Sequence, residues 1–204
     1  MRQIILASGS PRRKQLLADV GVAFDVIPSK FDEYLDDDRS PAEVTMELGL
    51  GKAMDVAKDH PDAIVIGSDT IVTIEGKQLG KAATLDEARE MIKLESGKLN
   101  LISSSLAVVC LAEQFQAVEV SEAKIFFKPY NHDAVETYLQ SGDYKDKAGA
   151  YGVQSGAAPL VDYIVGRYDT ILGMPTDLLV PILRKFGIEA REAAPVPPEE
   201  LVFK

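Results

Sequence analysis

Two arginines stand where a helix least favours cations. In Ser8-Gly9-Ser10-Pro11-Arg12-Arg13, Ser10 is a strong N-cap residue and Pro11 suits the first helical position, so a helix opens here. Arg12 and Arg13 then fall in its first turn, where the macrodipole and the unpaired amides favour anions by roughly 0.3–1 kcal/mol per charge. An anion held between them reverses that penalty. The amides of a small-residue turn, the hydroxyls of Ser8 and Ser10 and two guanidiniums make a cradle for a polyphosphate, arginine being suited to bidentate contact with phosphate oxygens. By itself the pair reads equally well as a solvated helix start.

A carboxylate is the second chemical group. Ile64-Val65-Ile66-Gly67-Ser68-Asp69-Thr70-Ile71-Val72 is an apolar strand interrupted at its middle by four small or polar residues. Burying a carboxylate without partners is expensive, so Asp69 should face a polar cleft or a metal-bound water; the alternative is a turn residue at a strand kink, satisfied by backbone amides. Lys81 follows a predicted hairpin at Glu75-Gly76-Lys77 and can reach back over the strand. Lys52 lies on a predicted helix at four-residue spacings from Val44 and Leu48, although Glu47 and Asp55 are close enough to make that face solvated. Asp32 and Glu33 form a loop pair that is exposed by default, yet either can complete an oxygen-rich magnesium site with Asp69. A third dense stretch is Asp146-Lys147-Ala148-Gly149-Ala150-Tyr151-Gly152-Val153-Gln154. Its small residues let backbone approach a planar ligand, and the Gln154 amide offers both a donor and an acceptor; the same composition also suits a tightly packed loop.

The elements that must hold these groups alternate. Strand-like runs cover residues 3–7, 24–27, 64–74, 99–111, 118–127 and 159–165. Ser40-Pro41-Ala42-Glu43 is a capping box whose helix continues to about Lys58, before His60-Pro61 stops it. Thr84-Leu85-Asp86-Glu87 is a second box, with a helix running to Gly97. Further helices are expected over 132–139 and from Met174-Pro175 to just before Gly187, the last with an apolar face of Leu178, Leu179, Ile182 and Leu183. Helices between the early strands, followed by a long hairpin, predict an α/β fold with a mixed sheet rather than a purely doubly wound parallel one. Residues 1–190 read as one domain and 191–204, with Pro195, Pro197 and Pro198, as an extended tail.

Composition narrows the function. The 204 residues are 46% hydrophobic and 26% charged, as in globular chains, and carry a formal charge of -10. Such an acidic chain argues against general nucleic-acid binding, which needs an extended basic surface, while a small cationic pocket for a compact polyphosphate is compatible with it. No apolar run approaches the ~20 residues of a membrane span, and no secretory signal is evident, so a cytoplasmic protein without membrane partners is expected. The single cysteine, Cys110, lies in an apolar run and reads as a buried thiol rather than a nucleophile, since the only histidines are His60 and His132, near predicted helix ends. Asp36-Asp37-Asp38 reads as a solvated loop.

Taken in order, Ser8 to Arg13, Gly67-Ser68-Asp69-Thr70, Gly80-Lys81 and Asp146 to Gln154 closely resemble the motifs of the Maf family of nucleoside triphosphate pyrophosphatases, and the similarity runs from about Ile4 to Gly187. The resemblance implies an inosine-triphosphatase-like fold, a long twisted mixed sheet flanked by helices, with a cleft between the two lobes of a single catalytic domain. It makes Ser8, Arg12, Arg13, Lys52 and Lys81 phosphate ligands, with Lys52 and Lys81 also counted as catalytic. Asp69 becomes the proton acceptor, Glu33 a metal ligand beside Asp69, and Mg2+ or Mn2+ the cofactor. Family members similar to the dTTP and UTP pyrophosphatases carry Arg, Thr and Gln where this chain has Arg12, Thr70 and Gln154; those acting on 7-methyl-GTP tend to carry Trp, Gln and Glu. A homodimer is also implied. A modified-purine pyrophosphatase and a non-catalytic nucleotide sensor linked to cell division are the alternatives. The chain departs from the family pattern at Ala82, where proline is usual, at Asn100, where histidine is common, and in the Glu47, Gly49 and Gly51 run before Lys52.

Overall fold

The apolar segments assemble into one eight-stranded mixed sheet in the computed structural model, which describes residues 2–204. The strands are β1 (Ile4–Leu6), β2 (Asp25–Val26), β3 (Ile64–Gly67), β4 (Thr70–Ile74), β5 (Lys77–Leu79), β6 (Leu99–Cys110), β7 (Phe115–Phe127) and β8 (Val161–Val165). The helices are α1 (Pro11–Val20), α2 (Pro41–Ala57), α3 (Leu85–Glu95), α4 (His132–Gln140), α5 (Tyr168–Leu172) and α6 (Thr176–Lys185). Strand order runs β2-β1-β3-β6-β4-β5, with β7 pairing β6 and β8. β1 is parallel to β2 and β3, and every other pairing is antiparallel.

Side-chain alternation builds two apolar layers on this sheet. Ile4 and Leu6 of β1 with Ile64 and Ile66 of β3 face a large core that includes Leu16 and Leu17 of α1 and Leu179 and Leu183 of α6. Ile5, Ala7 and Val65 face the other way, against Ala53, Val56 and Ala57 of α2. Ser40 caps α2 with both hydrogen bonds of a capping box. The expected box at α3 is only half formed: Thr84 accepts the Glu87 amide, but the Glu87 carboxylate takes the amide of Ala83 instead of that of Thr84.

The segment read as one strand over 64–74 is two, β3 and β4, because Ser68 and Asp69 leave the ladder. Both halves still lie on one edge of β6 in a single register, Gly67 opposite Ala107 and Thr70 opposite Ser104. α5 was not anticipated, and α6 begins at Thr176 with Pro175 as its N-cap residue. Residues 191–204 form no helix, yet Ala193 and Leu201 are buried and the backbone of Val202 and Lys204 pairs with Ile164 of β8. Cys110 is buried and unpaired. Among the described residues no helix is long and apolar enough to cross a membrane.

Candidate active site

The cleft opens where the sheet changes partners. On the edge away from β6, β3 pairs with β1 up to Ile66, whereas β4 pairs with β5 from Val72 onward. Between them Ser68, Asp69 and Thr70 have no strand beside them. β1 runs parallel to β3, so Ser8 and the start of α1 emerge at this gap. β5 runs antiparallel to β4, so Gly80 and Lys81 approach the gap from the other side. The stretch 146–154 joins them there, through the Lys81–Ala148 bridge and the Gly149 amide on the Gly80 carbonyl at 3.0 Å.

Alternation across the break sends Asp69 and Thr70 to opposite faces. Asp69 faces α2, and its Oδ1 accepts Lys52 Nζ at 2.5 Å, both side chains being under 10% exposed. Gly49 and Gly67 let α2 come that close. A Cβ on Gly49 would lie 2.3 Å from Ser105 Oγ, and one on Gly67 would lie 2.3 Å from the Gly49 carbonyl oxygen, whereas Gly51 makes room for the ring of Phe31, 2.4 Å from where its Cβ would sit. Gly49, which departs from good helix composition, is thus a condition for Lys52 reaching the break. Lys52 also donates to Glu33 Oε1 at 2.7 Å, and Lys81 donates to Glu33 Oε2 at 2.9 Å. Burial alone would raise the Glu33 carboxyl, but these two lysines outweigh it and hold it down at about 2.

Thr70 faces the other way, toward α1 and α5. Its hydroxyl accepts Arg13 Nη2 at 3.1 Å and pairs with Ser104 Oγ at 2.9 Å. Arg13 further donates Nε to the Gly173 carbonyl at 2.9 Å and Nη1 to Ser8 Oγ at 3.3 Å. Its guanidinium is therefore fixed in the cleft wall, with Thr70 as one of its braces rather than as a group presented unpaired to a ligand. Burial lowers Arg12, opposed by Asp143 and Asp146 across the gap. The cavity measures about 670 Å³, within the range of nucleotide-sized ligand sites; Ser8, Arg12, Arg13, Glu33, Lys52, Asp69, Thr70, Lys81 and Gln154 all line it, whereas Asp32, the other loop carboxylate offered for magnesium, does not.

Several contributors escaped the sequence reading. The acidic run is not merely solvated: Asp37 Oδ1 accepts the Gln78 amide at 2.8 Å, and the Gln78 side chain donates to the Asp36 and Arg39 carbonyls. This latch fastens the loop carrying Glu33 to β5. Asp169, buried, accepts Thr176 N and Oγ1 and Arg167, and so secures the turn that presents the Gly173 carbonyl. Lys147, also buried, donates to Asp143 and underlies Gly152, beneath the stretch that bears Gln154. Glu95 is fully buried with neither oxygen paired, 2.5 Å from where a Cβ on Gly149 would sit, and burial holds its carboxyl well above the ordinary range. An acid inside an apolar helix face was the only signal for it.

Glu33 and Asp69 are hard oxygen donors of the kind magnesium and manganese take. Among the described residues no group of three or more His, Cys, Asp or Glu side chains is placed to hold a metal ion. Two carboxylates fit a divalent ion whose remaining ligands are water and substrate phosphate, and do not fit a dedicated protein cage.

Sheet, break and cations together define an α/β protein with a cation-rich cleft built around the buried carboxylate of Asp69. Residues 3–186 match the model of the Maf-like protein family, and the chain belongs to that family. Relatives from Bacillus anthracis and Bacillus cereus, each named dTTP/UTP pyrophosphatase, are 39% identical over 193 residues, spanning 95% of this chain and all of theirs.

Proposed function

We propose that the chain hydrolyses dTTP and UTP between the α and β phosphates, giving the nucleoside monophosphate and pyrophosphate. The observation that carries this is the convergence of Lys52 and Lys81 on Glu33, and of Lys52 on Asp69, across one cavity from Arg12 and Arg13. The four cations neutralise the triphosphate and the charge that builds on the departing pyrophosphate. Asp69 orients the attacking water and accepts its proton as the new bond to the α phosphorus forms and the α–β bridge breaks. Arg13, braced by Gly173, Thr70 and Ser8, holds phosphate without reading the base. Glu33 and Asp69 would hold a magnesium or manganese ion, which supplies charge neutralisation on the phosphate oxygens.

The base falls to Gln154. A neutral amide complements the mixed donor and acceptor edge of uracil or thymine, and the names of the Bacillus relatives support the pyrimidine choice. The reading also includes a cytoplasmic location, as expected from the sequence, and a homodimer, on the family resemblance alone, which sedimentation velocity would test. Pyrophosphate release from dTTP, UTP, CTP, GTP and 7-methyl-GTP, with and without magnesium, tests the activity. Gln154→Glu should lower kcat/KM for dTTP and UTP at least about tenfold, the effect of ~1.4 kcal/mol, and lower it less for GTP. An equal loss on every nucleotide would remove Gln154 from base selection.

A further inference from the structure

Lys52 stands where two candidate metal ligands would meet a cation. Its ammonium, on a side chain 7% exposed, bridges Glu33 Oε1 and Asp69 Oδ1. Lys81 takes the other Glu33 oxygen. Glu33 thus has both oxygens engaged by ammonium groups and Asp69 has one. The wider cavity reinforces this. Arg12, Arg13, Lys52, Lys81 and Lys147 line it against Glu33, Asp69 and Asp146, five positive charges to three negative in a protein whose total is -10. A free divalent cation would enter a positive cavity in which three of the four Glu33 and Asp69 oxygens are already paired with lysine. A triphosphate reverses both conditions, because its oxygens are strong acceptors for lysine and its charge exceeds the local excess.

We propose that Lys52 is an internal stand-in for the divalent ion. With no nucleotide in the cleft it neutralises Glu33 and Asp69 and keeps the metal out. The triphosphate then draws Lys52 and Lys81 onto its own oxygens, which releases the two carboxylates to the ion that arrives with it. Metal uptake is therefore conditional on nucleotide. The inference rests on the triphosphatase reading, and it assigns Lys52 a role before any chemistry occurs.

Manganese alone is the probe, followed by the loss of its free-ion electron paramagnetic resonance signal. The parent chain should leave the signal of millimolar manganese unchanged. With the non-hydrolysable α,β-methylene analogue of dTTP present, the signal should fall beyond the loss caused by the analogue itself. Lys52→Met should bind manganese without nucleotide, at least about tenfold more tightly than the parent. Should that variant fail to fold by circular dichroism, the parent measured with and without analogue decides the matter. Equal manganese affinity in those two conditions, or equal affinity of folded variant and parent without nucleotide, would overturn the inference. Normal pyrophosphate release alongside such a result would leave the triphosphatase reading standing. No release from any triphosphate would overturn both.

Discussion

Replacing Gly49 with alanine sets helix propensity against packing. In an open helix Gly→Ala is favourable by about 1 kcal/mol. In α2 the new Cβ would lie 2.3 Å from Ser105 Oγ, 3.3 Å from Ser105 Cβ and 3.6 Å from the Asp69 amide nitrogen. Restoring a contact of 3.4 Å needs a movement of about 1.1 Å, the difference between 3.4 and 2.3 Å. If the serine hydroxyl turns aside, the Asp69 amide loses its 3.1 Å acceptor, a cost of roughly 1–3 kcal/mol. If α2 retreats instead, Lys52 retreats with it from Asp69. Overpacking of this kind costs about 1–3 kcal/mol, so after the propensity gain the variant should be less stable by up to about 2 kcal/mol. At roughly 2–4 °C per kcal/mol for a chain of this size, Tm should fall by a few degrees. A displacement near 1 Å of a residue that meets the reacting groups costs on the order of 100-fold in rate. Thermal denaturation and pyrophosphate release from dTTP read the two effects separately. Removing the obstructing hydroxyl in Gly49→Ala/Ser105→Gly should recover part of kcat/KM. A raised Tm with unchanged kcat/KM for the single variant would refute the view that Gly49 sets the approach of α2.

Asp69→Asn keeps the shape of the side chain but removes the proton acceptor, so kcat for dTTP should fall roughly a hundredfold or more with far-ultraviolet circular dichroism unchanged; turnover near the parent rate would make Asp69 structural. Arg13→Ala loses the contacts to Gly173, Thr70 and Ser8 as well as a phosphate donor. Calorimetry with α,β-methylene analogues of dTTP and GTP should show an equal loss, about ten- to a hundredfold, together with a lower Tm. Glu95→Leu should stabilise the protein, since it removes a buried carboxyl without partners. The native fold keeps on Glu95 a proton that the unfolded chain releases above the ordinary value of 4.5, so its contribution to stability is lost as pH rises. The Tm advantage of Glu95→Leu should therefore widen as pH rises above the ordinary value of 4.5, and a constant gap would show that Glu95 is ionised in the fold.

Much of this site is legible in the sequence, because local chemistry leaves few alternatives. Ser10-Pro11 must open a helix, so Arg12 and Arg13 must sit at its positive end. Four small or polar residues within an apolar run mark a disturbance in a strand, with Asp69 inside it, although by sequence the run reads as one strand and the structure makes it two. Neither inference needs a distant contact. The pairing partners of those residues were not readable, since each is fixed by segments far along the chain. Only the sheet order places β1 and β5 on either side of Ser68 to Thr70 and so turns a strand kink into a cleft. Only the packing of α2 on β6 explains Gly49, and only the seating of the Phe31 ring on α2 explains Gly51; by propensity alone both weaken a helix. Thr70 bracing Arg13, Asp37 holding Gln78, and Asp169 securing the Gly173 turn likewise depend on contacts across 41 or more positions in the first two cases, and in the third on a short helix that periodicity does not reveal. Residue type and near spacing thus determined which groups could bind phosphate and move a proton. Tertiary structure decided which of them meet, because hydrogen bonds and ion pairs act over about 3 Å, a separation that the order of residues along the chain does not specify.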